Sequence, residues 1–147
     1  MTQTMPTLIA LAHTAAARGE VPIAALVMGA DGQVLATAHN EVEQRGDATA
    51  HAELLAIRQA STVRGSKYLE DCTLIVTLEP CAMCAQAASL AKIKKIIFGA
   101  YDAKGGGVEH GARVFSHPTC HHAPEVIGGV MEGECGQLLV DFFAAKR

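Results

Sequence analysis

The chain lacks an excess of basic residues, because 12 lysines and arginines stand against 15 aspartates and glutamates and the formal net charge is −3. This balance excludes a cationic surface spread over the whole molecule but leaves room for a local basic patch. The chain also lacks an apolar run close to the roughly 18–20 residues that a membrane span needs. Residues 1–17 lack the basic start and long apolar stretch of a secretory signal. We therefore expect a cytoplasmic protein with no membrane partner.

Tryptophan is absent and aromatic residues are scarce, at 4%, yet half of the 147 residues are hydrophobic. This content excludes a disordered chain, and the length is that of one ordinary domain, 1–147, with its own core. The five cysteines are an odd number: two form Cys81-x-x-Cys84, and the others are scattered at Cys72, Cys120 and Cys135. In a chain without a secretion signal, this usage favours metal binding over a disulfide framework.

Two short motifs carry the chemistry. His51-Ala52-Glu53 is followed by Pro80-Cys81-Ala82-Met83-Cys84, and this pair is the signature of zinc-dependent nucleobase deaminases. Zn²⁺ takes imidazole and thiolate ligands, and a catalytic site keeps three protein ligands and one position for water. We therefore predict that His51, Cys81 and Cys84 bind one Zn²⁺ per subunit.

Glu53 is the predicted proton shuttle. It follows His51 by two positions, and side chains two apart point to different sides of a regular helix, so both cannot be ligands by simple geometry. Zinc lowers the pKa of its water toward neutrality, and Glu53 would take that proton as hydroxide attacks the ring carbon that bears the amine. The same carboxyl would then protonate the ring nitrogen and the leaving ammonia. A Cys-x-x-Cys pair alone would also suit a redox pair or half of a four-thiolate structural site.

The hydrophobic pattern predicts alternating helices and strands. Helices are predicted at 6–17, from about 49 to 64, at 80–91 and at 132–145; strands are predicted at 23–28, 34–38, 73–78, 95–98 and 126–130. Asp31 and Gly32 mark a hairpin turn between the first two strands, and residues 40–47 and 105–107 are predicted loops. Strands separated by helices pair in parallel, whereas the hairpin is antiparallel, so we expect a mixed sheet covered by helices.

The chain resembles the bacterial tRNA-specific adenosine deaminases over nearly its whole length. Beyond the zinc motifs, the similar segments are 19–22, Asn40, 76–84, 98–104, 122–126 and 141–143. The resemblance implies a cytidine-deaminase-like fold, a three-layer α/β/α sandwich around a mixed five-stranded sheet. It further implies a homodimer that converts adenosine to inosine at the wobble position of an arginine tRNA. Asn40, Pro22, Asp102 and Lys104 would then bind the substrate in the anticodon stem-loop, which agrees with the way proteins recognise splayed RNA loop bases.

Two alternatives stay open at this point. The first is a deaminase of a free base or nucleoside such as guanine or cytosine, which would share the zinc machinery and differ in pocket and surface. The second is a zinc-stabilised RNA-binding subunit without turnover, against which the intact Glu53 argues. A further cluster of metal-ligand types could form a second metal site, but loop residues facing solvent or a nucleic-acid backbone are favoured; its members are His117, Cys120, His121 and His122.

Overall fold

A mixed sheet of five strands forms the centre of the fold in the computed structural model, which describes residues 4–146. The strands are β1 (Ala24–Met28), β2 (Val34–His39), β3 (Thr73–Leu78), β4 (Lys95–Ala100) and β5 (Glu125–Ile127). Their order across the sheet is β2-β1-β3-β4-β5. β1 runs antiparallel to both of its neighbours, whereas β3, β4 and β5 are parallel to one another. The mixed sheet predicted from the sequence is confirmed.

Helices cover both faces of this sheet. They are α1 (Thr4–Ala17), α2 (Val42–Arg45), α3 (Ala52–Arg64), α4 (Ala82–Leu90) and α5 (Glu132–Ala145), with a 3₁₀ turn at Val114–Ser116. Leu74 and Val76 of β3 pack into the core under α3 and α4, while Ile75 packs into the core under α1 and α5. This alternation follows from the strand geometry, in which successive side chains point to opposite faces. The three-layer α/β/α sandwich is therefore confirmed.

The helix starts differ from the predicted ones in a way that matters for the site. α3 begins at Ala52 and not near position 49, and α4 begins at Ala82 and not at position 80. The reason is that His51 and Cys81 have extended backbones, with ψ of 148° and 173°, and cap their helices from outside. Both predicted ligands therefore lie at the N-terminus of a helix. The partial positive charge there favours the thiolate form of Cys81.

The predicted loop 40–47 was wrong in its middle part, where the short helix α2 forms. The carboxylate of Glu20 accepts hydrogen bonds from the backbone N–H groups of Glu43 and Gln44, at 3.0 and 2.7 Å. These donors have no partner inside a helix start, so a distant acid supplies one.

The strand predicted at 126–130 is shorter and earlier, at Glu125–Ile127. Gly129 has a φ of +84°, which is outside the extended region and ends the regular strand. The backbone N–H groups of Gly129 and Val130 still donate to the carbonyls of Gly99 and Phe98 in β4, both at 3.1 Å. Within residues 4–146, no helix combines the length and apolar character needed to cross a membrane.

Candidate active site

Three side chains with metal-ligating atoms meet between the starts of α3 and α4. The Nδ1 atom of His51 lies 3.5 Å from the Sγ atom of Cys81 and 3.7 Å from the Sγ atom of Cys84. All three ligand atoms lie within 4.8 Å of one another. Within the described part of the chain, this is the one cluster of three or more such groups. The structure thus brings together the residues that the sequence predicted to hold zinc.

The spacing of these atoms suits a tetrahedral zinc site. Zn–S bonds of about 2.3 Å and Zn–N bonds of about 2.0–2.1 Å place neighbouring ligand atoms of a tetrahedron about 3.6 Å apart. The S–N distances of 3.5 and 3.7 Å fall on either side of that value. One imidazole and two thiolates are also a donor set that favours Zn²⁺ over hard cations such as Mg²⁺ and Ca²⁺. The residues present therefore fit zinc with three protein ligands.

Contacts among these three side chains shift the pKa values of all three groups. The hydrogen bond from Cys84 and the contact with His51 lower the pKa of the Cys81 thiol to about 4. The same hydrogen bond and burial raise the pKa of Cys84, and the contact with Cys81 raises the pKa of His51. A divalent cation favours two thiolates and a neutral imidazole, so binding it releases protons.

Glu53 lies in the first turn of α3, two residues beyond His51, and only 4% of its surface is exposed. Burial raises the pKa of its carboxyl to about 7, and the charge of Cys81 acts in the same direction. A carboxyl with a pKa near neutrality can both accept and donate a proton at physiological pH. The position and chemistry of Glu53 are those expected of a proton shuttle.

Asn40 anchors the start of α3. Its side chain is 5% exposed, and its Oδ1 atom accepts a hydrogen bond of 2.8 Å from the backbone N–H of Ala52. Without this partner, the first N–H of the helix would be buried and unpaired. Asn40 also lines the cavity described below. The sequence predicted a substrate contact for Asn40 but gave no sign of this structural hydrogen bond.

A cavity of about 420 Å³ opens beside His51 and Asn40. Its other walls come from the segment before β1, from α2 and from the end of α5; among them are Glu20, Val42, Phe142, Phe143 and Lys146. The rings of Phe142 and Phe143 meet edge to face at 5.3 Å, and the Nζ atom of Lys146 lies 4.8 Å from the centre of the Phe142 ring. The C-terminal helix thus brings aromatic surface and a cation to the mouth of the site.

The sequence assigned no site role to these C-terminal residues. The segment 141–143 is similar to the tRNA-specific adenosine deaminases, but helical spacing alone does not tell which end of α5 reaches the cavity. The scarcity of aromatic residues was the one sequence feature that could have drawn attention to this segment, since Phe142 and Phe143 are two of only four phenylalanines.

The other predicted substrate residues lie outside this cavity. Pro22 lines a neighbouring cavity of about 320 Å³, which it shares with Phe142. Asp102 stabilises a surface turn, because its Oδ1 atom accepts the backbone N–H groups of Lys104 and Gly105 at 3.2 and 2.9 Å. Lys104 is exposed on that turn. A substrate would have to extend beyond the cavity to reach Asp102 and Lys104.

Glu79 is a buried carboxylate that the sequence did not single out. It accepts backbone N–H groups from Asp102, Val108, Glu109 and His110, and the ring Nδ1–H of His110 at 2.8 Å. Burial acts to raise the pKa of Glu79, but these hydrogen bonds outweigh it and lower the pKa below its usual value. Its partners follow it by 23 to 31 positions, so no local sequence pattern predicts these hydrogen bonds.

The histidines near position 120 do not gather into a metal site. The Nε2–H group of His117 is hydrogen-bonded to the carbonyl of Ala112, and that of His122 to the carbonyl of Ile93. Cys120 contacts the hydroxyl of Ser89 at 3.4 Å. Among residues 4–146 these groups form no joint ligand cluster.

A zinc-binding deaminase is the class that this sandwich and its ligand set define. The family model of the cytidine and deoxycytidylate deaminase zinc-binding region matches residues 1–100. A tRNA-specific adenosine deaminase of Agrobacterium fabrum is 48% identical over 136 residues, which are 92% of this chain and 89% of that protein. The chain belongs to the cytidine and deoxycytidylate deaminase family and, within it, to the tRNA-specific adenosine deaminases.

Solved structures agree with this placement. One, from a study of A-to-I editing by tRNA:A34 deaminases at the wobble position of transfer RNA, superposes with a TM-score of 0.91 at 46% identity, covering 95% of this chain and 100% of that one. A guanine deaminase from Bacillus subtilis superposes with a TM-score of 0.61 at 37% identity, covering 63% of this chain and 59% of that one. The likeness to the tRNA:A34 deaminase is thus both longer and closer.

Proposed function

We propose that this protein hydrolyses adenosine to inosine at the wobble position of a tRNA, with an arginine tRNA as its substrate. Water is consumed and ammonia is released. The observation that carries the proposal is the buried Glu53 beside the cluster of His51, Cys81 and Cys84, of which His51 lines the cavity. Membership of the family supports the choice of adenosine in tRNA over a free base.

The metal would be held by His51, Cys81 and Cys84. When bound, zinc lowers the pKa of a water molecule toward neutrality and thereby supplies a nucleophile at physiological pH. Glu53 accepts the proton of the attacking water, because its carboxyl lies beside the ligands without being one of them. It then delivers protons to the purine ring nitrogen and to the leaving amine, which departs as ammonia. A pKa near 7 lets the carboxyl serve in both directions.

Substrate recognition follows from which atoms stay available. The oxygen of the Asn40 amide is already bonded to Ala52, so its NH₂ group is the part that would donate to the flipped nucleotide. The cavity is open to solvent, as a loop base swung out of its stack requires. Pro22, Asp102 and Lys104 would contact neighbouring parts of the anticodon stem-loop. Their positions outside the cavity suit a substrate larger than a nucleoside.

The proposal includes assembly and location. The functional unit would be a homodimer, as the family resemblance implies. The protein would act in the cytoplasm, because free thiolates at the site need a reducing compartment.

The experiment is incubation of the purified protein with a transcribed arginine tRNA that carries adenosine at the wobble position, followed by sequencing for inosine. Free adenosine, guanine and cytosine are tested in parallel for release of ammonia. The expected result is inosine at the wobble position of the tRNA and no ammonia from the free compounds. Ammonia from guanine or cytosine without inosine in the tRNA would contradict the proposal.

A Glu53→Gln variant provides the matched control, because glutamine has nearly the same volume and cannot shuttle protons. It should bind zinc and leave the tRNA unedited. If this variant edits the tRNA at the wild-type rate, the assignment of Glu53 is wrong. If the wild-type protein binds zinc and RNA but deaminates no compound tested, the reading as a non-catalytic RNA-binding subunit replaces the proposal.

A further inference from the structure

The residue Glu79 connects the end of β3 to a loop that returns much later in the chain. Its side chain has no exposed surface, and it stands two residues before the ligand Cys81. Its Oε1 atom accepts two hydrogen bonds and its Oε2 atom three, all from residues 102–110 (the 102–110 loop). This loop contains the turn that presents Asp102 and Lys104.

One oxygen of Glu79 binds both ends of the loop, and the other binds its last three residues. Oε1 accepts the backbone N–H of Asp102 at 3.0 Å, where the loop begins, and the ring Nδ1–H of His110 at 2.8 Å, where it ends. Oε2 accepts the backbone N–H groups of Val108, Glu109 and His110 at 3.2, 2.8 and 3.1 Å. One carboxylate thus fixes both the entry and the exit of the loop.

The middle of the loop rests on the metal-binding turn. The backbone N–H of Gly107 donates a 2.8 Å hydrogen bond to the carbonyl of Pro80. A Cβ atom on Gly107 would lie 2.4 Å from the backbone nitrogen of Ala82 and 2.8 Å from the carbonyl carbon of Cys81. Backbone therefore packs on backbone, with no side chain between the loop and the turn that carries Cys81.

We propose that Glu79 is a positioning residue, which fixes Asp102 and Lys104 on the 102–110 loop relative to the metal ligands and so sets how RNA is held while the base is in the cavity. This inference rests on the proposed function, because it assumes an RNA substrate that reaches the loop. Glu79 itself belongs neither to the ligand cluster nor to the lining of the cavity. It acts through the loop.

A carboxylate is required at this place because all five of its partners are N–H donors. A glutamine of the same size offers one acceptor oxygen and turns an NH₂ group toward donors, which leaves buried N–H groups unpaired. Glu79→Gln is therefore a change of hydrogen bonding at almost constant volume. Glu109→Gln is the matched control, since it removes one carboxylate charge at an exposed side chain of the 102–110 loop.

The test compares Glu79→Gln, Glu109→Gln and the wild type by steady-state kinetics on an anticodon stem-loop with a wobble adenosine, by zinc content, and by amide hydrogen exchange. We expect Glu79→Gln to keep its zinc, to raise KM about tenfold or more and to keep kcat within about twofold, because binding contacts move and the reacting groups do not. The amides of Val108, Glu109 and His110 should exchange faster in this variant. Glu109→Gln should match the wild type in all three measurements.

A merely structural role would lower the melting temperature of Glu79→Gln and leave KM unchanged, and that result overturns the proposal. Unchanged exchange at residues 108–110 also overturns it, and this readout needs no substrate. If the wild type fails to edit the RNA, the proposed function falls, while the exchange data still decide whether Glu79 holds the loop. Should Glu79→Gln not fold, His110→Ala removes one of the five contacts and should show the same pattern at smaller size.

Discussion

The amide oxygen of Asn40 accepts a 2.8 Å hydrogen bond from the backbone N–H of Ala52, the residue between His51 and Glu53. A side chain that follows β2 therefore fixes the first turn of α3, where one metal ligand and the proposed proton shuttle stand. Because this contact is buried, Asn40 has a structural role in addition to the substrate contact proposed for its NH₂ group.

Substitution of Asn40 should separate these two roles. Asn40→Ala leaves the N–H of Ala52 without its partner and should cost about 1–2 kcal/mol of unfolding free energy. Asn40→Asp keeps an acceptor oxygen at a helix start and should retain most of the stability, yet it lacks the NH₂ donor. Urea unfolding and kcat/KM for the tRNA check both expectations. Equal activity of Asn40→Asp and the wild type would rule out the proposed substrate contact.

Replacement of Glu53 by glutamine should remove turnover without removing the metal. The side chain is buried and is not one of the three clustered ligand groups. Loss of a general acid and base lowers rates by about 10²–10⁴-fold, so kcat should fall by at least that range while zinc content stays at one per chain. Loss of zinc together with activity would mean that Glu53 supports the metal instead. Single-turnover kinetics and metal analysis decide between the two.

Removal of Cys84 should unfold the metal site. Its sulfur is fully buried and belongs to the ligand cluster, and metal binding adds to folding stability. With zinc at about 1,000 times its dissociation constant, the lost stabilisation is about 4 kcal/mol, or about 10 °C in melting temperature. Cys84→Ala should melt earlier, and a chelator should lower the melting temperature of the wild type but not of the variant. Cys120→Ala, a cysteine outside the cluster, is the control and should keep its zinc.

Substitution of Gly99 in β4 should destabilise the fold, because the structure leaves no space for a side chain there. A Cβ atom there would lie 2.4 Å from the Sγ atom of Cys135 in α5 and 2.7 Å from the carbonyl oxygen of Thr77. Gly99→Ala should therefore force α5 away from the sheet and cost about 1–3 kcal/mol. Gly133→Ala is the control, because nothing lies within 4 Å of that position. The melting temperatures of the two variants give the comparison. Similar values would show that α5 can move away from Gly99→Ala without a loss of stability.

Much of the site could be predicted because its residue types are close in sequence and have few other uses. His51, Glu53, Cys81 and Cys84 fall within two short motifs, and zinc chemistry restricts what such motifs do. The alternation of helices and strands similarly predicted a mixed sheet covered by helices, while the three-layer sandwich was what the family resemblance implied. The position of β1 between β2 and β3 was not predicted, because hydrophobic pattern shows which face of a strand is buried but not which strand lies beside it.

The features that the sequence did not reveal depend on contacts between distant residues. α2 forms where a polar loop was expected, since Glu20 supplies the partner for its first N–H groups. The hydrogen bonds of Glu79 reach residues 23 to 31 positions away. A buried acid looks the same in a sequence as an exposed one, so its partners become visible only in three dimensions.

The two helices that carry the ligands both begin at the site, and this arrangement has a consequence for formal charge. A divalent ion with two thiolates and a neutral imidazole sums to zero, so Glu53 alone remains as a charge among these groups. Each helix start contributes roughly half a positive charge nearby, which lowers the free energy of ionising that carboxyl. A monovalent ion would leave the same cluster negative beside Glu53. Beside such a negative cluster the pKa of the Glu53 carboxyl would rise, so the charge of the bound ion decides how readily this carboxyl ionises.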